Sequence, residues 1–350
     1  MTSERRLPPQ GGLPPEEGLV GPVVEIACDE SGFSGTNLLD PATPLFTHAS
    51  VEVPAAEAAD IVDTLRSGVR WSLQEVKSGQ LLRGPDAPAA LAWLLDRLCG
   101  RAHVHVVDKE LFLVSRVVDL FLLEPSYAAG TALAGDDRPA SLALLRAGQP
   151  HAPMWSAFLD ALTVVLRTKR RHRPDAAAVD AFLRARDRLH AAITADATGP
   201  ADASTAAGVL ARLGRDRVAD VAARIGDGDR SLPPPLEPLL PALAETVLFW
   251  SRGTRRVVVV HDEQSALTAD RLRRLQAVLA ASAPDAPSPL AGLVTVDSRD
   301  DPRVQVADLL AGATRRSPDA LADPLLRPFL SPSSLVDPHR RTGPAVGAGR

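Results

Sequence analysis

Residues 23–32, VVEIACDESG, decide the fold that we expect for this chain. The mainly apolar run 23–28 follows Gly21 and Pro22 and predicts a buried strand. Asp29 and Glu30 come directly after that run, before Ser31 and Gly32. In an open α/β sheet, ligands bind beyond the carboxyl ends of the strands. This stretch therefore puts two carboxyl groups where a site is expected.

Further strand and helix patterns extend outward from this stretch. Strands are predicted at 45–53, 69–73, 102–107, 256–261 and 293–296. Helical periodicity fills the gaps, and the region of about 126–250 shows helix signals alone. We therefore predict the α/β class, with one mixed sheet flanked by helices and a large helical insertion at about 126–250.

The composition sets the domain limits and the compartment. The chain has 350 residues and a net charge of −4, and only three of its 39 basic residues are lysines. We expect a flexible tail at 1–21, one domain at 22–316 and a loose Pro/Arg-rich tail at 317–350. The polar start and the lack of a long apolar run predict a cytoplasmic protein with no membrane segment.

Acidic residues follow four predicted strands. They are Asp29 with Glu30, Asp108, Asp262 and Asp297. Carboxylates that converge repel one another and need a cation, and Mg²⁺ takes oxygen ligands of this kind. An aspartate after a strand also stabilises a turn or caps the next helix, and Asp297 with Ser298 has the sequence of a plain turn. From the residues alone, both interpretations stay open.

Two further segments carry candidate functional residues. Glu75 and Lys77 are two apart, so they share one face of extended backbone, where a solvated ion pair is the simpler interpretation. Asp308 lies in an apolar helical pattern at 303–314, three residues after Gln305. An aspartate with such neighbours is either the partner of an arginine or a metal ligand.

The order of these motifs resembles a known family. The motifs are D-E-S-G at 29–32, E-V-K at 75–77, D-E at 262–263, D-S at 297–298 and Q-V-A-D at 305–308. Together they resemble a widespread bacterial domain-of-unknown-function family with D-E-S-G, E-x-K and Q-x-A-D motifs, which is assigned to the ribonuclease-H-like superfamily. The resemblance spans about 23–315 and leaves the helical middle unmatched.

The resemblance implies a ribonuclease-H-like sheet and a metal-dependent nuclease, a hydrolase of phosphodiesters in DNA or RNA. It implies two Mg²⁺ or Mn²⁺ ions, which activate a water and stabilise the leaving oxygen. The catalytic and metal-binding residues that it implies are Asp29, Glu75, Asp262 and Asp308, with Glu30 and Asp297 as second choices. It implies Lys77, Gln305 and Ser31 as substrate-binding residues. Asp108 competes with Asp262 for the third acidic position, because both follow a strand.

A second function class is compatible with the same sequence. The chain could keep this fold without catalysis and act as a binding or regulatory protein, holding a partner protein through its helical insertion. Acidic residues that converge without arginine partners favour the enzyme, and carboxylates that are each paired to an arginine favour the binding protein.

Overall fold

A computed structural model of the chain describes residues 11–32, 37–67, 78–81, 86–131, 138–167, 176–196, 202–281, 287–317 and 320–339. Its strands are β1 (Gly11–Leu13), β2 (Val23–Ser31), β3 (Leu45–Val51), β4 (Ala102–Asp108), β5 (Arg256–Asp262) and β6 (Leu290–Val296). They form a single mixed sheet within the described part of the chain. The predicted strand at 69–73 lies outside the described residues.

The strand order of the sheet is β1-β6-β5-β2-β3-β4. Strands β2, β5 and β6 are parallel, whereas β3 runs antiparallel to both β2 and β4. Strand β4 therefore runs in the same direction as β2. The carboxyl ends of β2, β4, β5 and β6 consequently meet at one edge of the sheet, which is the edge where the acidic residues were expected.

Helices cover both faces of the sheet. In chain order they are α1 (Ala55–Ser67), α2 (Ser78–Leu81), α3 (Ala87–Leu98), α4 (Lys109–Val117), α5 (Tyr127–Thr131), α6 (Arg138–Gly148), α7 (Ala152–Leu166), α8 (Ala176–Ala195), α9 (Ala203–Ala211), α10 (Arg215–Gly226), α11 (Leu239–Ser251), α12 (Ala269–Ala281) and α13 (Pro302–Arg316). A π-helical turn, Val118–Leu122, continues α4. No helix in the described ranges is long and apolar enough to cross a bilayer.

The helical insertion and the α/β class are confirmed. All regular elements described between β4 and β5 are helical, and the two strands belong to the same sheet. Helices α5–α11 occupy the region predicted at about 126–250. The insertion is therefore an excursion between two strands of one sheet, because both strands contribute to the same hydrogen-bonded ladder.

Side-chain alternation divides the sheet into two packed faces. Ile26 of β2 and Val259 of β5 pack against the insertion helices. Ala27 and Val260 pack on the opposite face with Val306 of α13. Because successive residues of a strand point to opposite faces, Asp29 and Asp262 share the α13 face, whereas Glu30 and His261 share the insertion face.

Both predicted tails contain segments that pack on the sheet. Gly11–Leu13 pairs with β6 as an antiparallel strand. At the other edge, Leu330 and Leu335 form bridges with β4, and the Leu335 amide donates to the Val106 carbonyl at 2.8 Å. These segments differ from the flexible tails predicted at 1–21 and 317–350. The physical reason is that a strand edge carries N–H and C=O groups that need partners, whatever the composition of the segment that supplies them.

Candidate functional site

Three separate elements bring acidic residues to the carboxyl edge of the sheet. Asp29 and Glu30 lie near the carboxyl end of β2. Asp262 is the last residue of β5, and Asp308 lies in the middle of α13. Asp29 is buried, and Asp262 and Asp308 are half-buried. Helix α13 packs on β2 and β3, which brings its one acidic side chain toward the end of β2.

The electrostatics of Asp29 connect these carboxyl groups. Burial raises the pKa of Asp29 well above its ordinary value, and the negative charges of Glu30, Asp308 and Asp262 raise it further. The backbone N–H of Glu30 donates to Asp29 Oδ1 at 2.7 Å, which lowers this pKa in part. Asp262 and Asp308 are therefore near enough to Asp29 to act on its charge, and the convergence of the three residues on one cation stays a prediction.

Backbone amides orient the other two carboxyl groups on this face. The Ser298 N–H donates to Asp262 Oδ1 at 3.0 Å, and the Ser78 N–H donates to Asp308 Oδ2 at 3.4 Å. Gln305 supports the first of these contacts, because its Nε2 donates to the Ser298 carbonyl at 2.9 Å. Gln305 is 4% exposed, so its side chain is part of the packed interior between α13 and the loop before it.

Glu30 occupies the other face of the same strand end. The Gln264 Nε2 donates to its Oε1 at 2.5 Å, and His261 Nε2 lies 3.8 Å from its Oε2. Burial raises the pKa of Glu30 to about 7, with the Gln264 hydrogen bond acting in the opposite direction and Asp262 adding to the rise. Burial also raises the pKa of Glu237, which lies before α11, to about 7, and the charge of Glu30 adds to that rise.

A chain of hydrogen bonds runs from this strand end into the interior. His261 Nδ1 lies 2.9 Å from the Asp262 carbonyl oxygen, which accepts only, so Nδ1 carries the proton. The unprotonated His261 Nε2 then accepts from His48 Nε2 at 3.2 Å. His48 Nδ1 in turn accepts from the Thr246 hydroxyl at 2.9 Å. The bonding pattern thus assigns one tautomer to each ring.

Basic residues lie on the side of the site nearest β3 and β4. The Arg315 Nε donates to Ser31 Oγ at 2.9 Å, and the Arg316 Nη1 donates to Ser78 Oγ at 2.7 Å. Burial lowers the pKa of Arg315, the charge of Arg316 lowers it further, and Asp308 acts in the opposite direction. Both carboxylates and guanidinium groups therefore face the end of β2, which suits a ligand with phosphate groups and a cation.

The other residues predicted for the site either bind different partners or lie outside the described ranges. Asp297 binds Arg299 through its carboxylate, in the turn that the sequence suggested as the alternative. Asp108 caps α4 and accepts from the backbone N–H groups of Glu110 and Leu111 at 2.9 and 3.1 Å. Asp262, and not Asp108, thus acts on the pKa of Asp29. Glu75 and Lys77 lie outside the described residues.

The donor atoms of this site suit a divalent cation, although the described side chains do not form a complete set of ligands. Among the described residues, no group of three or more His, Cys, Asp or Glu side chains is placed so that it could hold a metal ion. The donor types do fit, because Asp29, Asp262 and Asp308 supply oxygen ligands and their repulsion is what a cation would relieve. The predicted fourth ligand, Glu75, belongs to a stretch outside the described ranges.

Besides Arg315, Arg316, Ser78 and Thr246, three further residues of the site had no role in the sequence prediction. They are His48, Gln264 and Glu237. His48 lies inside the predicted strand at 45–53. A polar residue inside a buried strand needs a hydrogen-bond partner, and this signal could have marked His48 as a candidate site residue. Gln264 and Glu237 lie outside regular elements, so no periodic pattern pointed to them.

Comparison of the chain with protein-family profiles, with curated proteins and with solved structures finds no match.

Proposed function

We propose that this protein is a metal-dependent nuclease, or a related phosphodiester hydrolase, of ribonuclease-H-like fold. The observation that carries the proposal is the effect of Asp262 and Asp308 on the pKa of Asp29. Carboxyl groups from two strands and one helix thus act on one another electrostatically, although Asp29 and Asp262 are far apart in the sequence. Clustering of this kind costs free energy unless a ligand uses it.

The placement of the acidic residues supports the ribonuclease-H-like assignment. The resemblance implies carboxylates on a first strand, on a later strand and on a final helix. Asp29 of β2, Asp262 of β5 and Asp308 of α13 correspond to those three positions. Glu75 corresponds to the remaining helical position and stays a prediction.

Each residue has a proposed role in the reaction. Asp29, Asp262 and Asp308 would hold Mg²⁺ or Mn²⁺, with Glu75 completing the set and Glu30 as a second choice. A bound divalent ion supplies Lewis-acid activation of water and stabilises developing negative charge. The Ser298 and Ser78 amides keep two of the carboxylates oriented. Arg315 beside Ser31 would bind a phosphate oxygen of DNA or RNA, and Lys77 would do the same.

The experiment is a cleavage assay on a panel of DNA and RNA with Mg²⁺ or Mn²⁺, with EDTA as the metal-free control. We expect Asp29→Asn to lower the rate by about a thousandfold or more, since stabilisation of charge by a metal is worth several kcal/mol. Asp108→Asn is the matched control, because Asn also caps helices well. Equal rates for wild type and Asp29→Asn, or activity that persists in EDTA, would overturn the proposed site.

A binding or regulatory protein of the same fold is the second candidate. The observation in its favour is that no group of described side chains is closed enough to hold a metal ion. The same cleavage assay distinguishes the two candidates, because a binding protein would cleave no substrate with any metal. Under this proposal the helical insertion carries the surface for a partner protein. For both candidates we propose a cytoplasmic location.

A further inference from the structure

A cavity of about 510 Å³ lies between α1, the loop before α13, and the first turn of α13. Its apolar wall consists of Ala59, Val62 and Pro302, and its polar lining includes Arg66 and Gln305. The cavity is open to solvent and five of its eight lining residues are polar or charged, while its volume lies within the range of about 300–1,000 Å³ that small-molecule sites have. The cavity is therefore large enough for a ligand of nucleotide size.

Arg66 is the group in this cavity whose bonding is incomplete. Its Nη1 lies 3.4 Å from Asp63 Oδ1 and its Nη2 lies 3.4 Å from Gln305 Oε1, both at the long limit for hydrogen bonds. Its Nε is buried and has no hydrogen-bond partner among the residues that the structure describes. A guanidinium group makes its strongest bonds two at a time to a carboxylate or phosphate. Arg66 therefore keeps hydrogen-bonding capacity for a further anionic group, beyond its long contact with Asp63.

The cavity is connected to the carboxyl cluster through hydrogen bonds. Gln305 accepts from Arg66 and donates to the Ser298 carbonyl, while the Ser298 amide donates to Asp262. Gln305 also precedes Asp308 by three residues on α13, so the two side chains are neighbours on one helix surface. The cavity and the carboxyl cluster thus share helix α13 and the loop before it.

The remaining charged groups limit what the cavity could bind. Asp63 and Asp300 line it together with Arg66 and Arg299, so its lining is balanced in charge and not uniformly basic. A free phosphate would be repelled by both carboxylates. A nucleoside phosphate also carries amino and hydroxyl groups, which can donate hydrogen bonds to them. The apolar wall suits the face of a base.

We infer that this cavity binds one nucleoside phosphate unit, with its phosphate on Arg66 and its base against the Ala59–Val62 wall. The inference rests on the proposed function, because it makes the bound unit a nucleotide next to the one cleaved. The same chemistry occurs in a free mononucleotide and in a nucleic acid strand. Both sources are therefore arms of the test.

The test measures binding in EDTA, so that cleavage does not contribute. Free AMP and UMP are titrated by calorimetry, and short fluorescent single strands of DNA and RNA are titrated by anisotropy. We expect Arg66→Ala to weaken binding by about tenfold to a hundredfold, the usual effect of losing hydrogen bonds to a charged group. Arg66→Lys should fall between the two, because lysine keeps the charge and loses the two-pronged geometry.

Two variants control for structural damage. Arg184→Ala removes an exposed arginine from α8 in the helical insertion and should bind as wild type does. Ala59→Phe fills the cavity from its half-buried wall, leaves every charge in place and should also weaken binding. Thermal unfolding monitored by circular dichroism shows which variants are folded.

The outcomes are separate from those of the cleavage assay. Loss of mononucleotide binding in Arg66→Ala supports the inference with a free nucleotide as the source, and loss of strand binding alone supports it with a strand as the source. No binding by wild type, equal binding by Arg66→Ala and wild type, or an equal loss in Arg184→Ala would overturn it. Cleavage that persists alongside such a result would leave the proposed function standing without this cavity.

Discussion

The Nε2 atoms of His48 and His261 lie 3.2 Å apart inside the sheet, so one ring donates and the other accepts. The two imidazoles cannot both be protonated, since two protonated rings would bring two N–H groups together. Burial lowers the pKa of His261 to about 4, and burial together with the neighbouring histidines lowers the pKa of His48 well below its ordinary value. The hydrogen-bonding geometry and the charge state therefore agree.

Removal of a buried histidine should stabilise the protein in acid. Burial lowers the pKa of His105 to about 3, whereas an unfolded histidine has a pKa near 6.5. The unfolded chain therefore takes up a proton that the folded chain does not, and stability is lost as the pH falls below about 6.5. His105→Leu should gain about 2 kcal/mol more at pH 5 than at pH 8. Urea unfolding at both pH values measures this, and equal gains would contradict it.

Glu30→Gln should show the opposite pH dependence. The folded pKa of Glu30 is about 7, above its ordinary value of 4.5, so the folded chain keeps a proton that the unfolded chain releases. Stability from this group is present below pH 4.5 and is lost as the pH rises through 7. The variant should therefore gain up to about 3 kcal/mol at pH 8 and little at pH 4 in metal-free urea unfolding. A gain in stability that is larger at pH 4 than at pH 8 would show that the predicted pH dependence is wrong.

Asp29→Asn should separate function from stability. The pKa of Asp29 is raised by burial and by three nearby carboxyl groups, so its charge opposes folding. Without metal at pH 8, we expect the variant to unfold at the same or a higher urea concentration than wild type, even though it should cleave far more slowly. A variant that is clearly less stable would indicate that Asp29 has a structural role.

Asp108 should affect stability alone. Its carboxylate accepts from two backbone N–H groups at the start of α4, so Asp108→Ala should cost about 1 kcal/mol in the free energy of unfolding. Asp108→Asn keeps a capping oxygen and should cost a few tenths of that. Neither variant should change the cleavage rate of the folded protein, and a hundredfold loss in Asp108→Asn would place this residue in the site.

Two glycine substitutions should have opposite effects. A Cβ at Gly312 would overlap the side chain of Ser78, the residue whose N–H donates to Asp308. Gly312→Ala should therefore cost about 1–3 kcal/mol and lower the cleavage rate. Gly208, in the middle of α9, has no atom of the described residues within 4 Å of an added Cβ, so Gly208→Ala should gain about 0.5–1 kcal/mol. Thermal unfolding of the pair tests both signs.

The sequence predicted the parts of the fold that have a repeating pattern. The runs at 23–28, 102–107 and 256–261 are apolar because both faces of the sheet are covered, and each forms a strand as predicted. Strand β1 was missed, because GGL has neither alternation nor β-branched residues. It forms because the edge of β6 offers it hydrogen bonds, and a single-sequence pattern contains no information about that edge.

The site was predicted in its acidic residues more than in their surroundings. Asp262 and Asp308 act on Asp29 because β2 and β5 are parallel neighbours and α13 packs on β2, an arrangement that the predicted mixed sheet allowed without specifying the strand order. Gln305 was assigned to substrate, yet its amide bonds the Ser298 carbonyl and Arg66. Such a role depends on the path of one loop, which periodicity and residue type do not determine.

The two flanking segments of the chain cover strands that would otherwise form the edges of the sheet. Strand β1 pairs with β6, which makes β6 an inner strand, and the bridges of Leu330 and Leu335 lie along β4. A bare outer strand is a template on which a second molecule can add. Cutting the chain before residue 320 would leave β4 uncovered, and recombinant protein shortened there should form oligomers or aggregates even though every proposed site residue is retained.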